Sequence, residues 1–228
     1  MNKKIFFIGG AIGIMTVILI TFLTIFTKND YKNLNLGNNI SNKSITEMED
    51  YILNISSYEA RIEVTVVSNK NENKYILEQK YNKENVAKQE VIEPSNIKGV
   101  QTIYNEGKLE IKNSSLNLST IFENYPCMAE NTLWLSSFIN DYSESNKKSI
   151  KEENNEFIMD VQVNDANKYT CNKKLYIDKN TGMPTKLLVQ DKNSKTSIYI
   201  LYNEIQLNSI SKEEILAFNL NKLFFRDV

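Results

Sequence analysis

Residues 58–66 read YEARIEVTV, and this stretch decides the fold class. Every second residue from Tyr58 to Val66 is apolar, and the positions between them hold Glu59, Arg61, Glu63 and Thr65. Successive side chains of a β-strand point to opposite faces of a sheet, so a period of two indicates one buried and one solvated face. The stretch therefore predicts a half-buried strand.

Further strand-like segments follow along the chain. They span residues 74–81, 85–92, 100–104, 109–112, 149–153, 156–163, 173–178, 185–191 and 196–207. Their connections are short and polar, with turns at residues 105–107, 180–182 and 193–194. Because parallel strands need long crossovers, these connections predict antiparallel pairing. We expect an α+β domain with a single, strongly curved, open and barrel-like antiparallel sheet and with helices on its concave face.

Two of the expected helices carry the same start signal. Ser44 and Glu47 have the spacing of a capping box, and Ser211 and Glu214 repeat it near the C-terminus. Between them, residues 116–142 lose the strand alternation. That region is predicted to contain a turn at residues 121–125 and then a helix over residues 133–142, with Asn131 as its cap.

The N-terminal region is interpreted as a membrane anchor. Residues 1–4 carry two lysines, and residues 5–27 follow without a single charge. A helix of that length spans roughly 35 Å, which is enough to cross a bilayer core. A cleaved signal peptide is the alternative, but its apolar region is shorter and ends at small residues, whereas this one ends in LTIFT.

This interpretation divides the chain into four parts. Residues 1–4 form a cytoplasmic tail, 5–27 a transmembrane signal-anchor, 28–43 an Asn-rich flexible tether and 44–228 the extracytoplasmic domain. The expected location is the cell membrane, crossed once, with the domain on the outer side.

The composition argues against an enzyme and against a nucleic-acid-binding protein. The chain has no histidine, and its net charge is −1 at pH 7. It therefore lacks the most common general base and metal ligand, and it has no basic field to attract nucleic acid. The sequence contains no glycine-rich phosphate loop. We expect no catalytic residue, no cofactor and no metal, and the sequence does not identify the binding residues.

Carboxylates are the remaining candidates for acid–base chemistry. Glu152, Glu153 and Glu156 form one group, and Asp160 and Asp165 form another. The favoured interpretation is that these are solvated charges in or beside a hairpin, because an active site also needs a pocket.

The two cysteines, Cys127 and Cys171, both lie in the extracytoplasmic domain. A disulfide between them stays open, because two cysteines alone do not define a disulfide framework. We expect no catalytic role for either one, since neither has a basic, histidine-containing neighbourhood.

Tyrosines are frequent in the predicted strands, where they occur at positions 75, 81, 104, 176, 199 and 202. Aromatic residues in strands most often fill the core, which is the favoured interpretation. A large apolar face also binds lipid chains or partner segments, so ligand binding stays as the alternative.

Residues 173–204 read KKLYIDKNTGMPTKLLVQDKNSKTSIYILYNE. A strand ending in an Ile-Asp turn, a Thr-Gly-x-Pro step, a second strand, a polar turn and a Tyr-rich strand follow one another. This order resembles the C-terminal half of LolA-like domains, which are periplasmic lipoprotein carriers and their relatives. The resemblance spans residues 44–208.

Within that group the chain resembles the clostridial germination lipoprotein family, GerS. The similarity lies in the Asn-rich composition, the helix at Ser44 and the turn at residues 175–184. It implies a spore germination factor that acts with a cortex amidase, CwlD, in forming modified peptidoglycan. The chain departs from that family because it has no lipobox cysteine, and a membrane helix is expected in place of the lipid anchor.

The resemblance leads to two hypotheses. We expect a non-enzymatic accessory protein of the cell or forespore membrane that binds and supports a CwlD-like peptidoglycan amidase. The alternative is a carrier or sensor that holds an acyl chain or a lipoprotein in the concave face of the sheet. A tethered protein is poorly suited to shuttling, which favours the first hypothesis.

Overall fold

The computed structural model describes residues 43–68, 70–113, 116–167 and 169–217. The predicted tail and transmembrane helix lie outside the described residues, and so does the predicted tether except for Lys43. Within the described ranges, no helix combines the length and the apolar character needed to cross a membrane.

The described residues form one antiparallel sheet of eleven strands. The first six are β1 (Ser57–Val67), β2 (Glu72–Asn82), β3 (Val86–Glu93), β4 (Val100–Asn105), β5 (Lys108–Asn113) and β6 (Leu118–Phe122). The other five are β7 (Lys148–Glu153), β8 (Glu156–Asn167), β9 (Thr170–Asp178), β10 (Pro184–Gln190) and β11 (Thr196–Leu207).

The spatial order of the strands is β6-β5-β4-β3-β2-β1-β11-β10-β9-β8-β7. Two meanders of consecutive strands are therefore joined where β1 pairs with β11. The sheet is open, with β6 at one edge and β7 at the other. The prediction of a single open antiparallel sheet is confirmed, while its strong curvature stays a prediction.

Alternation along β1 places the core on one face of the sheet, which we call the inner face. The side chains that point to this face are buried: Tyr58, Ala60, Ile62 and Val64. Antiparallel register continues the face onto neighbouring strands, because Val64 lies opposite Ile200, and Ile200 lies opposite Leu187. The opposite, outer face carries the intervening charged residues.

Two hairpins have the turn geometry that suits a twisted sheet. Glu106 and Gly107 between β4 and β5 have φ values of 48° and 87°, and Asn154 and Asn155 between β7 and β8 have φ values of 52° and 63°. Two consecutive positive φ values match the twist of the flanking strands. The predicted turn at residues 105–107 is thereby confirmed.

Both predicted capping boxes are present. At the start of α1 (Ile45–Leu53), the Ser44 backbone N–H donates to Glu47 Oε2 at 2.7 Å, and the Glu47 N–H donates to Ser44 Oγ at 3.3 Å. Ser211 and Glu214 make the same reciprocal bonds at 2.8 Å and 3.2 Å, at the start of α3 (Lys212–Ala217). Each box satisfies N–H groups that a helix start leaves without partners.

The helix α2 (Leu135–Glu144) lies across the joint between the two meanders. The Leu135 backbone N–H donates to Tyr58 Oη on β1 at 3.2 Å. Further along α2, Ser137 and Asp141 contact Lys173 on β9. The helices α1 and α2 therefore cover the inner face, where their apolar residues complete the core.

Two predictions for the middle of the chain are wrong. The N-cap residue of α2 is Trp134, whereas Asn131 Oδ1 accepts the backbone N–H of Leu133. Of the predicted turn at residues 121–125, Ile121 and Phe122 instead belong to strand β6. The sequence of β6, LSTIF, does not alternate between apolar and polar residues, and all five residues are exposed. Only its pairing with β5 identifies this segment as a strand.

The prediction that all helices cover one face is wrong for α3. Ile215 of α3 is buried with Val86 and Ile210. Val86 and Ala87 are consecutive in β3, and Ala87 belongs to the core on the inner face, so Val86 points outward. Asn82 Nδ2 also donates to Ile210 O at 3.1 Å. The helix α3 therefore covers the outer face over β2 and β3.

Candidate functional site

The six strand tyrosines divide between the two faces of the sheet. Four of them pack into or against the core on the inner face, at positions 75, 81, 104 and 202. Tyr176 lies between Leu175 and Ile177, which are fully buried, so its own side chain points outward. Tyr199 precedes buried Ile200 and is likewise on the outer face. Core filling therefore accounts for four tyrosines and leaves two on an uncovered surface.

These two tyrosines belong to a group of apolar side chains that we call the outer-face patch: Ile158, Tyr176, Leu188, Tyr199 and Leu201. The group spans four adjacent strands, β8, β9, β10 and β11. Ile158 lies opposite Tyr176, and Leu188 lies opposite Tyr199. Ile158 is buried by its neighbours, and the other four members are partly exposed. At about 4.8 Å between strands, the patch is roughly 15 Å wide.

Charged residues lie within and beside this patch, because Lys186 on β10 is paired with both Tyr176 and Leu201 and therefore lies between two members of the group. Lys186 Nζ lies 4.0 Å from the centroid of the Tyr176 ring and 3.6 Å from Glu156 Oε2. Lys174 is paired with Asp160 beside Leu188. The described helices pack elsewhere, on the inner face or over β2 and β3. Aromatic side chains are enriched at protein-binding surfaces, and Lys186 adds a cation–π contact with Tyr176 in the middle of this one.

Continuous apolar runs in the sequence indicate this patch, in addition to the alternation that predicts the strands. Residues 187–189 read LLV and residues 198–201 read IYIL, so apolar side chains occupy both faces of β10 and β11. Continuous apolar runs in a strand indicate that both faces are covered. No described helix covers the outer face here, so most of the second set of side chains stays partly exposed.

Four of the five carboxylates considered from the sequence form ion pairs with lysines. Glu152 pairs with Lys179, and Glu153 pairs with Lys151. The hydrogen bond and charge of Lys151 lower the pKa of Glu153. Glu156 and Asp160 pair with Lys186 and Lys174 on the outer face, and Asp165 lies further along β8. The described residues contain no group of three metal-ligating side chains. This arrangement fits solvated hairpin charges.

Both cysteines are free thiols and partly buried. Burial raises the pKa of Cys127, so this thiol stays protonated at neutral pH. The Cys171 thiol donates to Asn167 O at 3.0 Å within its own hairpin. In this structure no disulfide joins Cys127 and Cys171.

A cavity of about 610 Å³ lies where three hairpins end, and we call it the end cavity. Val66 and Ile198 from the inner face supply its apolar lining. Lys70 and Lys195 supply positive charge, and Asp191 supplies a negative charge. The wall is tied together because Ser197 Oγ donates to the backbone oxygen of Tyr169 at 2.7 Å.

A buried ion pair holds α2 on the sheet. Lys173 Nζ lies 2.5 Å from Asp141 Oδ2, and their side chains are 2% and 24% exposed. The same nitrogen donates to Ser137 Oγ at 2.9 Å. Burial lowers the pKa of Lys173, and the hydrogen bond and charge of Asp141 oppose that shift. Because Lys173 is 2% exposed and bonded to two residues of α2, the arrangement serves to position the helix.

A model of the sporulation proteins described as YdcC-like matches residues 13–216. The chain belongs to this family of sporulation proteins. The match covers most of the extracytoplasmic domain that the sequence predicts. Among curated proteins, none matches the chain.

Several solved structures resemble the chain. An uncharacterized conserved protein from Thermus thermophilus has 11% identity and a TM-score of 0.49, covering 76% of this chain and 93% of that one. A chain in the complex of the CwlD amidase from Clostridioides difficile with the GerS lipoprotein has 25% identity and a TM-score of 0.46, covering 70% and 91%. A LolA superfamily protein from Nitrosomonas europaea has 8% identity and a TM-score of 0.40, covering 75% and 96%. The predicted resemblance to LolA-like domains and to GerS is confirmed.

Proposed function

We propose that this sporulation protein is a membrane-anchored, extracytoplasmic accessory protein that binds a partner protein through the outer-face patch. The observation that carries the proposal is the uncovered group of apolar and aromatic side chains across β8 to β11, with Lys186 among them. Such a composition favours burial against another protein, because tyrosine is enriched at interfaces. Family membership supplies the setting, which is sporulation.

Binding is favoured over catalysis by the chemistry of the described residues. Of the carboxylates considered from the sequence, Glu152 and Glu156 form ion pairs with lysines, and the buried Lys173 is engaged by Asp141 and Ser137. A catalytic acid or base needs a free side chain beside a pocket that admits a substrate. We therefore propose that the chain has no enzymatic activity of its own.

The proposed partner is a peptidoglycan amidase of the spore cortex. This identity rests on the resemblance of the sequence to the germination lipoprotein family, together with membership of a sporulation family. A domain tethered to the outer side of a membrane would meet such an amidase where the cortex is made.

The test combines genetics with binding. A deletion strain should make spores whose cortex lacks the amidase-dependent modification, and the purified protein should bind the amidase. Tyr176→Ala and Tyr199→Ala should each weaken binding about 10-fold or more, since buried aromatic anchors contribute about 1.4 kcal/mol or more. Tyr169→Ala, on an exposed tyrosine of the end cavity, is the matched control and should bind normally. A normal cortex in the deletion strain would refute the proposal.

A second candidate function is supported by the end cavity. Its apolar lining suits an acyl chain, and its two lysines, which outnumber the one aspartate of the lining, suit an anionic head group. In that case the protein should extract lipid from anionic vesicles, and Tyr169→Ala or Lys195→Glu should reduce extraction. The two patch variants, Tyr176→Ala and Tyr199→Ala, should then have no effect.

A further inference from the structure

The edge strand β6 exposes several large apolar side chains to solvent. The exposed fractions are 62% for Leu118, 60% for Ile121 and 44% for Phe122. Leu116 and Tyr125, which flank the strand, are 65% and 42% exposed. We call these five residues the edge strip. Single exposed apolar residues are common, but a contiguous group marks a surface that contacts another molecule or a membrane.

The edge strip occupies both faces of the sheet. Leu118 and Phe122 project to the inner face, because Phe122 lies opposite Leu109 of β5, which belongs to the core. Ile121 projects to the outer face, where it lies opposite Glu110. A rigid partner that lies on one face would leave the other set of side chains exposed. A fluid surface that receives the whole edge would cover both sets.

The charges closest to the edge strip are paired and lie beside the edge strand. The strand β6, LSTIF, holds no charge, whereas the opposite edge strand β7, KSIKEE, holds four. On β5, Lys112 Nζ lies 2.9 Å from Glu110 Oε2, and Lys108 Nζ lies 3.2 Å from Glu123 Oε1. The two charges of each pair cancel, so this edge favours an apolar environment over a partner of either charge.

We propose that the edge strip inserts into the lipid bilayer to which the chain is anchored. This inference rests on the membrane anchor of the proposed function and is independent of the amidase as a partner. The anchor also makes a small apolar surface sufficient. A few apolar side chains bind a bilayer weakly and reversibly, but a tether keeps the domain beside the membrane and so raises the effective concentration.

The length of the predicted tether permits this contact. The helix α1, which follows the tether, packs near β7 and β8, at the opposite edge of the sheet from β6. The eleven strands would separate the two edges by about 48 Å in a flat sheet. Residues 28–43, when extended, span about 50 Å. The edge strand β6 is therefore able to reach the membrane from which the chain emerges.

The backbone of β6 limits the depth of insertion. Within the described residues β6 pairs with β5 alone, so the polar groups along its free side have no strand partner. Such groups are costly to place in hydrocarbon, so the strand stays at the level of the lipid head groups, where water reaches it. From there Leu118, Ile121 and Phe122 reach the upper acyl chains, and Tyr125 suits the interface, where tyrosine is enriched.

Fluorescence of the full chain in phosphatidylcholine vesicles tests the contact. With Cys127→Ser and Cys171→Ser as background, Leu118→Cys or Ile121→Cys carries a fluorophore whose emission depends on polarity. In either variant the emission should shift to the blue, and lipids with a nitroxide near the head group should quench it. Ser149→Cys on β7 is the matched control, because Ser149 is exposed on the charged edge. Its fluorophore should stay in water.

A charge on the strip should prevent insertion. Ile121→Glu, followed with the fluorophore on Leu118→Cys, should lower the inserted fraction about 10-fold or more, because it removes a large apolar side chain from the contact. Ser149→Glu should leave that fraction unchanged. Both positions are exposed, and fluorescence of the buried Trp134 verifies that each variant is folded.

Flotation of the vesicles measures the anchor separately. A chain that floats while the fluorophores at positions 118 and 121 stay in water would overturn the insertion and leave the anchor intact. A chain that does not float would overturn both. A blue shift without quenching by the lipid nitroxide would show that a protein, such as a second copy, covers the strip, and it would equally overturn the proposal. Insertion that required anionic lipid would contradict the role of a neutral, apolar edge.

Discussion

Replacing Asp141 by asparagine should destabilise the domain strongly, because it leaves the Lys173 ammonium buried without a counter-charge. Lys173 is 2% exposed, and its nitrogen lies 2.5 Å from Asp141 Oδ2. Removing one partner of a buried pair costs about 3–5 kcal/mol. The Ser137 hydroxyl still accepts a hydrogen bond from Lys173 at 2.9 Å, and Asp141 is 24% exposed, so we expect the lower end, about 3 kcal/mol.

The matched control is Asp160→Asn, which breaks a neighbouring ion pair in the same sheet. Asp160 pairs with Lys174, the neighbour of Lys173 in β9, but these side chains are 35% and 32% exposed. Pairs exposed to this extent contribute at most about 1 kcal/mol. The two variants therefore separate burial of a charge from the mere presence of an ion pair.

Urea unfolding of the full chain in detergent measures both variants. Trp134, the single tryptophan of the chain, is buried beside Tyr58 and reports unfolding by its fluorescence. With an m value of about 2–3 kcal/mol/M, Asp141→Asn should lower the midpoint by roughly 1–1.5 M and Asp160→Asn by less than about 0.5 M. Equal shifts for the two variants would refute the reasoning.

The pH dependence gives an independent check on the same pair. Burial lowers the pKa of Lys173 in the folded state, whereas the unfolded side chain titrates near 10.4. Between the two values the unfolded state binds more protons, so this group makes stability rise with pH. Asp141→Asn should lower the pKa of Lys173 in the folded state further. The stability that this variant loses relative to the wild type should therefore shrink as the pH rises toward 10. Lys173→Met should remove this pH dependence and cost less stability than Asp141→Asn.

Three further predictions concern local features. Ser44→Ala should lower the melting temperature, because it removes a capping box. The hydrogen bonds from Ser44 lower the pKa of Glu47. The stability that the capping box supplies should therefore disappear as the pH falls through that lowered pKa. Replacing Cys127 and Cys171 by serine should leave function intact, and a folded but inactive double variant would contradict this. Intact-mass measurement of membrane-extracted protein should find residues 5–27 retained, whereas a mature chain that starts near residue 28 would show cleavage.

The sequence by itself determined those features that depend on neighbours along the chain. The capping boxes were predicted because Ser44 and Glu47, like Ser211 and Glu214, satisfy backbone groups within one turn. Alternation over residues 58–66 predicted β1 and the face of it that is buried. Short polar connections predicted antiparallel pairing, since each hairpin places its two strands together without help from the rest of the chain.

The tertiary structure alone decided features that join distant segments. Pairing of β1 with β11 brings together strands about 140 residues apart, and no local pattern specifies which strands meet at that joint. The strand β6 has no burial pattern, so only its pairing with β5 makes it a strand. Burial of Lys173 and the position of α3 on the outer face follow from which surfaces the fold leaves available. The same holds for the outer-face patch: local alternation determines that a side chain points away from the core, but only the packing of the whole chain determines whether anything covers it.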